Sequence, residues 1–390
     1  MKPPNHALPD GTRHVLPPEA AYRATLTDKL QGLYDLWGYE RVDAPVLEHY
    51  DGDHARLEQS FKLSDRDSGV LSLRSDFTPA IAKLVSAHYP NEELPLRFQY
   101  CGKVWHAINP EIARTREFTQ LGLELVGISS ARADAELIHL ARESLRTVGL
   151  EPRVEIGNPG FVRALLDLAN IPPELREAVA SAIDRKDQSS LHEQLEPLAL
   201  DKQLFDALMS VPDLYGDIDI LKDALELMPW KETTNELARL KAILDEFEDS
   251  SDLLIDLGMA RRLSYYTSMT FRAYTFDFGQ PILGGGRYDG ALLPYAAGFT
   301  LGLERLLGAL EVPQKAEVAL VLTLDDIPAR RLREAGYRVE RALNTDVEEA
   351  KAYARAKGIP YLLSQEGLEP LTSNLPHEQS LKSLLEAKRD

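Results

Sequence analysis

Two segments of alternating apolar residues limit the possible folds of this chain more than any other feature. The alternating positions are Leu96, Phe98, Tyr100, Gly102 and Val104 in the first segment, and Leu121, Leu123 and Leu125 in the second. Strict alternation is typical of a strand that buries one face. The polar segment Ala107–Arg116 joins the two, so we predict a β-hairpin of two half-buried strands.

Helical periodicity is found on both sides of this hairpin. Apolar residues recur at helical spacing over residues 19–37, from Thr78 or Pro79 to about Ala87, and over Asp134–Val148. Short extended segments are predicted at Tyr39–Val46 and from Leu71 onward. An α+β fold follows, with a sheet flanked by helices.

The second half of the chain changes character twice. From about Asn158 to Glu248 the pattern is helical and polar, which indicates an inserted helical region. Strand character resumes at Leu253–Leu257 and Thr270–Phe278. A glycine-rich turn is predicted at residues 284–286, and an apolar helix over Phe299–Leu310.

Past Pro313, strands and helices alternate at short intervals, which favours a small separate α/β unit. We therefore predict a first domain over residues 1–314, with a helical insertion at about 158–250, and a second over 315–390. The last fifteen or so residues are polar, and we expect them to attach loosely.

Composition excludes several functional classes. The single cysteine, Cys101, excludes an intrachain disulfide and a multi-cysteine metal site, and the nine histidines show no paired spacing, so neither a metal nor a cofactor is expected. Without a signal-like start or an apolar run long enough to cross a bilayer, we expect a cytoplasmic protein. The 390 residues carry a net charge of −18, and no run of Lys and Arg offers a patch for tRNA.

Four segments contain recognisable motifs: residues 98–124, FQYCGKVWHAINPEIARTREFTQLGLE, residues 261–267, RRLSYYT, residues 284–290, GGGRYDG, and residues 297–307, AGFTLGLERLL. The first and the last resemble the motif 2 hairpin and the motif 3 helix of class II aminoacyl-tRNA synthetases. The other two resemble the two signatures of one family in that class, the histidyl-tRNA synthetases. Their order and spacing match over roughly residues 8–312. The resemblance implies a class II synthetase-like antiparallel sheet flanked by helices, followed by a C-terminal domain reduced relative to an anticodon-binding domain.

The resemblance also implies a site for free histidine, whose ammonium, carboxylate and imidazole groups all need partners when they are buried. The positions that match the family's amino-acid pocket are Asp76, Thr78, Gln120, Glu124, Arg261, Tyr265 and Tyr266. Gln120 and Glu124, four residues apart in a strand, share one face. Glu124 suits an imidazole N–H, and Arg261 matches the family's arginine that faces the carboxylate.

Ordinary structural roles remain open for the same residues. Gln120 and Glu124 could be solvated polar groups on a sheet face, and the two adjacent tyrosines could be packing residues. Asp76 could cap the helix that follows it, a common use of aspartate. The glycine triplet could be a tight turn, since it lacks the Lys-Ser or Lys-Thr of a phosphate loop.

The nucleotide side of the family pattern is altered. His106 stands where motif 2 has an arginine that grips the α-phosphate of ATP, and Ile108 removes a carboxylate used near the adenine. Two lost charge-assisted hydrogen bonds cost about 3–6 kcal/mol. In a transition state this is on the order of 10²–10⁴ in rate. With Arg114 and Arg305 retained, the resemblance implies a degenerate ATP site.

A paralogue group of these synthetases fits this combination: the regulatory subunits of ATP phosphoribosyltransferase. Similarity to them implies a non-catalytic role in the first step of histidine biosynthesis. The implied partners are a short-form catalytic subunit, a second copy of the chain in a homodimer, and L-histidine as feedback signal, without tRNA or membrane. Two alternatives remain open. The chain could be a degenerate but active histidyl-tRNA synthetase, or an interaction module that serves another enzyme or an RNA.

Overall fold

The computed structural model describes residues 8–50, 60–67, 69–108, 115–260, 265–313, 319–373 and 375–386. The chain divides into two compact units. The larger comprises Met1–Leu16 and Tyr22–Val312, and the smaller comprises Pro17–Ala21 and Pro313–Asp390.

A sheet of nine strands forms the centre of the larger unit within the described residues, in the order β1-β5-β6-β12-β11-β10-β7-β9-β8. Its strands are β1 (Glu40–Arg41), β5 (Leu96–Trp105), β6 (Glu117–Val126), β7 (Arg153–Gly157), β8 (Tyr215–Gly216), β9 (Leu253–Asp256), β10 (Thr270–Thr275), β11 (Phe278–Arg287) and β12 (Ala296–Gly302). Neighbours pair antiparallel except β1 with β5 and β7 with β9, which are parallel. The α+β class is confirmed, with a mixed sheet that is mainly antiparallel.

The predicted hairpin is present as β5 and β6. Phe98 pairs with Glu124 and Gly102 with Gln120, so these two side chains of β6 lie on one face, as their spacing predicted. The expectation that both strands are half-buried is wrong for β6, which is buried from Gln120 to Val126. Its leucines join a core with α1 (Pro17–Leu36) and α3 (Ala131–Thr147), while helix α2 (Thr78–His88) and its aromatic neighbours cover the other face.

The glycine triplet is not a turn. Residues 284–286 lie near the C-terminal end of β11, where it pairs with β10 on one side and β12 on the other. A Cβ at Gly285 would stand 2.1 Å from the carbonyl oxygen of Gly298, and one at Gly286 would stand 2.6 Å from that of Met269. Glycine is therefore required because the neighbouring backbones approach closely, not because the chain turns.

The helix predicted over Phe299–Leu310 is also partly wrong. Strand β12 takes the first part, and helix α10 (Leu303–Ala309) begins only after Gly302. A short apolar run fits a buried strand and a buried helix equally well, and here β6 and β11 on either side supply the hydrogen bonds of a strand.

The segment at Tyr39–Val46 forms a shorter strand than predicted. Only β1 is extended there, and a separate sheet follows with the order β2-β4-β3. Its strands are β2 (Leu47–His49), β3 (Lys62–Asp65) and β4 (Gly69–Leu73). Strand β4 leads directly to the start of α2, which places residues 74–78 beside the end of β5.

Between β7 and β9 the chain is mainly helical, and it contributes β8 to the edge of the central sheet. The helices are α4 (Pro159–Leu168), α5 (Pro173–Asp184), α6 (Gln188–Leu195), α7 (Lys202–Ser210), α8 (Ile220–Leu227) and α9 (Lys231–Leu244). Because β7 and β9 pair as direct neighbours, this helical region is inserted between two adjacent strands.

The smaller unit contains a sheet in the order β14-β13-β15-β16, parallel except for its last strand. Its elements are β13 (Val321–Thr323), α11 (Asp326–Glu334), β14 (Val339–Arg341), α12 (Val347–Lys357), β15 (Tyr361–Ser364), β16 (Gly367–Pro370) and α13 (Glu378–Glu386). The C-terminal residues were expected to attach loosely, but α13 packs on α11 and buries Leu381 completely. Among the described residues, no helix is both long and apolar enough to span a membrane.

Candidate functional site

A cleft of about 330 Å³, including its open mouth, lies over the ends of β6, β11 and β12 and the start of α2. Its described lining consists of Asp76, Thr78, Glu124, Tyr265, Tyr266, Gly284, Gly285, Tyr288, Gly298, Phe299 and Thr300. Five of the seven residues predicted to bind the amino acid therefore line one cavity. Gln120 lies close by without lining it, and Arg261 is outside the described residues.

Glu124 projects from the C-terminal part of β6 into this cleft and is only 1% exposed. Its Oε1 accepts a hydrogen bond of 2.7 Å from the Thr78 hydroxyl, and its Oε2 accepts one from the Tyr288 hydroxyl. Burial raises the pKa of Glu124 from its ordinary 4.5 to about 7, and the two hydrogen bonds oppose that rise. The carboxyl group is therefore poised to gain or lose a proton near neutral pH.

The start of α2 supplies the second polar wall. Thr78 is the first residue of the helix, and the capping position before it is Phe77, which makes no side-chain cap. Asp76 therefore does not occupy the capping position that remained open from the sequence. Its Oδ1 accepts a hydrogen bond of 3.4 Å from the Gln120 amide, which connects the loop before α2 to β6.

Three tyrosines form the aromatic wall. Tyr265 stacks on Tyr288 at 5.4 Å between ring centres and meets Tyr266 edge-on at 5.0 Å. Tyr288 was not predicted as a site residue, although the GGGRYDG signature contains it. Burial raises the pKa of its hydroxyl well above 10, so the group stays protonated and donates to Glu124. The signature places this tyrosine directly after β11, opposite β6.

Glycines on β11 and β12 make room for these side chains. A Cβ at Gly298 would stand 2.2 Å from Glu124 Oε2. Since Gly298 and Glu124 are paired across β12 and β6, any larger residue would displace the carboxylate. The glycines thus form the floor of the cleft.

His106 and Arg305, two of the three residues assigned to a degenerate ATP site, are not among the described residues that line the cleft. His106 Nε2 lies 3.0 Å from the carbonyl oxygen of Ser75 and therefore carries the proton in that contact, and its ring packs edge-on against Phe118. Arg305 donates to the carbonyl oxygen of Pro281 at 3.1 Å. Neither residue is part of the described lining, and Arg114 lies outside the described residues.

The charge of the cleft is one-sided. Its described lining contains the carboxyl groups of Asp76 and Glu124, and none of the described lining residues is Lys or Arg. These carboxyl groups accept hydrogen bonds from ammonium, imidazolium and other N–H donors.

Comparison with known proteins identifies the family of the chain. The chain matches the histidyl-tRNA synthetase family over residues 11–306. It is 44% identical to an ATP phosphoribosyltransferase regulatory subunit of Thermus thermophilus, over 93% of this chain and 98% of that protein. A protein of the same name from Deinococcus radiodurans is 40% identical, over 90% of this chain and 87% of the relative.

Two solved structures resemble the fold along nearly the whole chain. One is an ATP phosphoribosyltransferase regulatory subunit/histidyl-tRNA synthetase from Bacillus halodurans C, with a TM-score of 0.80, 28% identity and coverage of 93% of this chain and 98% of that one. The other is a histidyl-tRNA synthetase from Nostoc, with a TM-score of 0.79, 20% identity and coverage of 97% and 99%. The chain therefore belongs to the family of ATP phosphoribosyltransferase regulatory subunits, and its fold is that of the histidyl-tRNA synthetases.

Proposed function

We propose that this chain is the non-catalytic regulatory subunit of ATP phosphoribosyltransferase and that its cleft binds L-histidine as a feedback signal. The relatives that carry this name match the chain over most of its length. In this proposal the chain assembles as a homodimer with a short-form catalytic subunit in the cytoplasm, and histidine shifts the complex toward a less active state. Such a shift needs a coupling free energy of about 1–3 kcal/mol between the two states.

The observation that carries the histidine assignment is the one-sided charge of the cleft. Asp76 and Thr78 offer oxygen acceptors to the α-ammonium group, and Glu124 offers a carboxylate to the imidazole N–H. The rings of Tyr265 and Tyr266 are aromatic walls for the imidazole. Arg261 would face the carboxylate of the ligand, an assignment that rests on the family resemblance alone.

One substitution argues against activation of histidine by ATP. His106 replaces the arginine of motif 2, and its Nε2 proton already bonds to a main-chain oxygen. One such donor cannot supply the parallel pair of bonds that a guanidinium gives a phosphate. We therefore propose that the chain does not form aminoacyl-adenylate.

Calorimetric titration of the full chain with L-histidine tests the cleft. We expect saturable binding to the native protein and affinity at least about 10-fold weaker in a Glu124→Gln variant, because a hydrogen bond to a charged group contributes about 1.5–3 kcal/mol. The matched control is Glu117→Gln, since Glu117 lies on the same strand but pairs with Lys103 outside the cleft. Equal heats for the native chain and the Glu124 variant would remove the cleft from the proposal.

The match to the synthetase family favours one alternative, an active histidyl-tRNA synthetase. The alternative predicts histidine-dependent exchange of pyrophosphate into ATP and charging of tRNA. We expect neither above the background of a preparation without the chain, and no binding of tRNA at moderate salt given the net charge of −18. Sustained exchange by the purified chain would favour the synthetase instead.

A further inference from the structure

One arginine of the helical region reaches the wall of the cleft. Arg163 lies on α4, and its half-buried guanidinium donates to the main-chain oxygens of Tyr266 at 2.8 Å and Thr267 at 3.2 Å. A charged donor on two consecutive carbonyl groups fixes the course of the backbone more firmly than a single neutral bond does. The side chain of Tyr266 lines the cleft, so this contact fixes the backbone position from which that ring projects.

Thr267 connects this backbone segment to the third tyrosine of the cleft, Tyr288. Its amide donates to the carbonyl oxygen of Arg287 at 2.8 Å, and its hydroxyl accepts from the amide of Asp289 at 3.0 Å. These two bonds lie on either side of Tyr288, whose hydroxyl holds Glu124. A continuous series of hydrogen bonds thus leads from α4 to the buried carboxyl group.

Further hydrogen bonds hold the start of α4, the helix that carries Arg163. The Asn158 side chain caps α4 by accepting from the Gly160 amide at 2.9 Å, and its amide nitrogen donates to the Glu236 carboxylate of α9, also at 2.9 Å. A second arginine, Arg239 of α9, contacts Asp134 at 3.0 Å.

Asp134 connects α9 to the other tyrosine-bearing segment. It is fully buried and pairs with the equally buried Arg287 at 2.6 Å. Arg287 directly precedes Tyr288 in the chain. Both segments that carry cleft tyrosines are therefore tied to the inserted helices by guanidinium groups, through α4 in one case and α9 in the other.

We propose that Arg163 is a positioning residue of the cleft, through which ligand occupancy is coupled to the helix α4. Binding that moves or stiffens the backbone at Tyr266 and Thr267 changes the contacts of Arg163, and linkage requires the reverse effect with equal magnitude. The coupling to a ligand rests on the proposed histidine function, whereas the positioning role is a property of the free chain.

The positioning role is tested first without ligand, by amide hydrogen exchange of the full chain and its Arg163→Gln variant. We expect faster exchange at Thr267 and Asp289, whose amides belong to the series, and unchanged exchange in β5 and β6. The control is Arg176→Gln, because Arg176 also bonds a main-chain oxygen of the helical region, that of Ile171, and its hydrogen bonds to described residues do not involve the cleft lining. Exchange at Thr267 and Asp289 that is the same in both variants would overturn the positioning role, whatever the ligand.

The coupling is then tested with L-histidine. We expect Arg163→Gln to weaken binding about 10-fold, which corresponds to about 1.4 kcal/mol, with Arg163→Lys recovering part of the loss and Arg176→Gln unchanged. Histidine should slow exchange in α4 of the native chain but not of Arg163→Gln. Native affinity in Arg163→Gln, or helix protection that survives in it, would overturn the coupling. If the native chain binds no histidine, the ligand assignment and the coupling both fail, while the ligand-free exchange still decides the positioning role.

Discussion

Replacing Glu124 by glutamine should change how the stability of the ligand-free chain depends on pH. The carboxyl group is buried, and its pKa is about 7 in the folded chain against an ordinary 4.5. Between these values the folded chain keeps a proton that the unfolded chain has released, so the native free energy of unfolding falls as pH rises. Glutamine has no such proton. The difference in stability, variant minus native, should therefore increase with pH.

The magnitude follows from the same two pKa values. Each pH unit across this window costs about 1.4 kcal/mol, which gives a total of about 3 kcal/mol, of which about 2.5 kcal/mol falls between pH 5 and 8. The Gln side chain can still accept from one hydroxyl and donate to the other, so the hydrogen bonds to Thr78 and Tyr288 survive in altered form.

Urea unfolding of both proteins at pH 5, 6, 7 and 8, without histidine, measures this difference. The control is Glu117→Gln. In the native chain, the hydrogen bond from Lys103 lowers the pKa of the Glu117 carboxyl group. A lowered pKa affects stability only below about pH 4.5, so its difference from the native chain should stay flat over the range. A flat or declining difference for Glu124→Gln would show that the carboxyl group is ionised in the fold, contrary to the burial argument.

Three further predictions concern the same cleft. Tyr288→Phe removes the donor to Glu124 Oε2, so titration should show histidine binding weakened by about 5- to 10-fold, and unchanged binding would count against the role of that hydroxyl. Gly298→Ala should lower the free energy of unfolding by about 1–3 kcal/mol, because its Cβ would stand 2.2 Å from Glu124 Oε2. Gly216→Ala, where the nearest heavy atom is 3.8 Å away, should cost less, and equal losses would refute the packing argument. Histidine affinity should fall about 10-fold per pH unit below about pH 6, where both the imidazole and Glu124 become protonated, and a Glu124→Gln variant with the same pH profile would contradict it.

The parts of the site that could be predicted from the sequence are those encoded by local periodicity. Alternation predicted the hairpin, and the four-residue spacing of Gln120 and Glu124 predicted that both lie on one face. The start of α2 at Thr78 was also predicted correctly. These features depend on the period of a strand or helix and on short-range signals, which a single segment contains.

The parts that were wrong or missed depend on contacts distant in sequence. Strand β12 is a strand because it lies between β6 and β11, and the glycine triplet is determined by how closely three backbones approach. Tyr288 becomes a site residue only because its hydroxyl, just past the end of β11, reaches Glu124 on β6. The contact between Arg163 and Tyr266 joins residues that are 103 positions apart in the sequence, so no local sequence pattern predicts it.

The central claim, that this chain regulates a separate catalytic subunit through a histidine-binding cleft, is tested most directly by the turnover of a short-form ATP phosphoribosyltransferase. The assay compares the catalytic subunit alone, with the native chain, and with the chain plus L-histidine, and repeats the last condition with Glu124→Gln. We predict that turnover depends on the chain, that histidine suppresses it, and that the variant supports turnover but needs at least about 10-fold more histidine for the same suppression. A catalytic subunit whose turnover is the same with and without the chain would contradict the account.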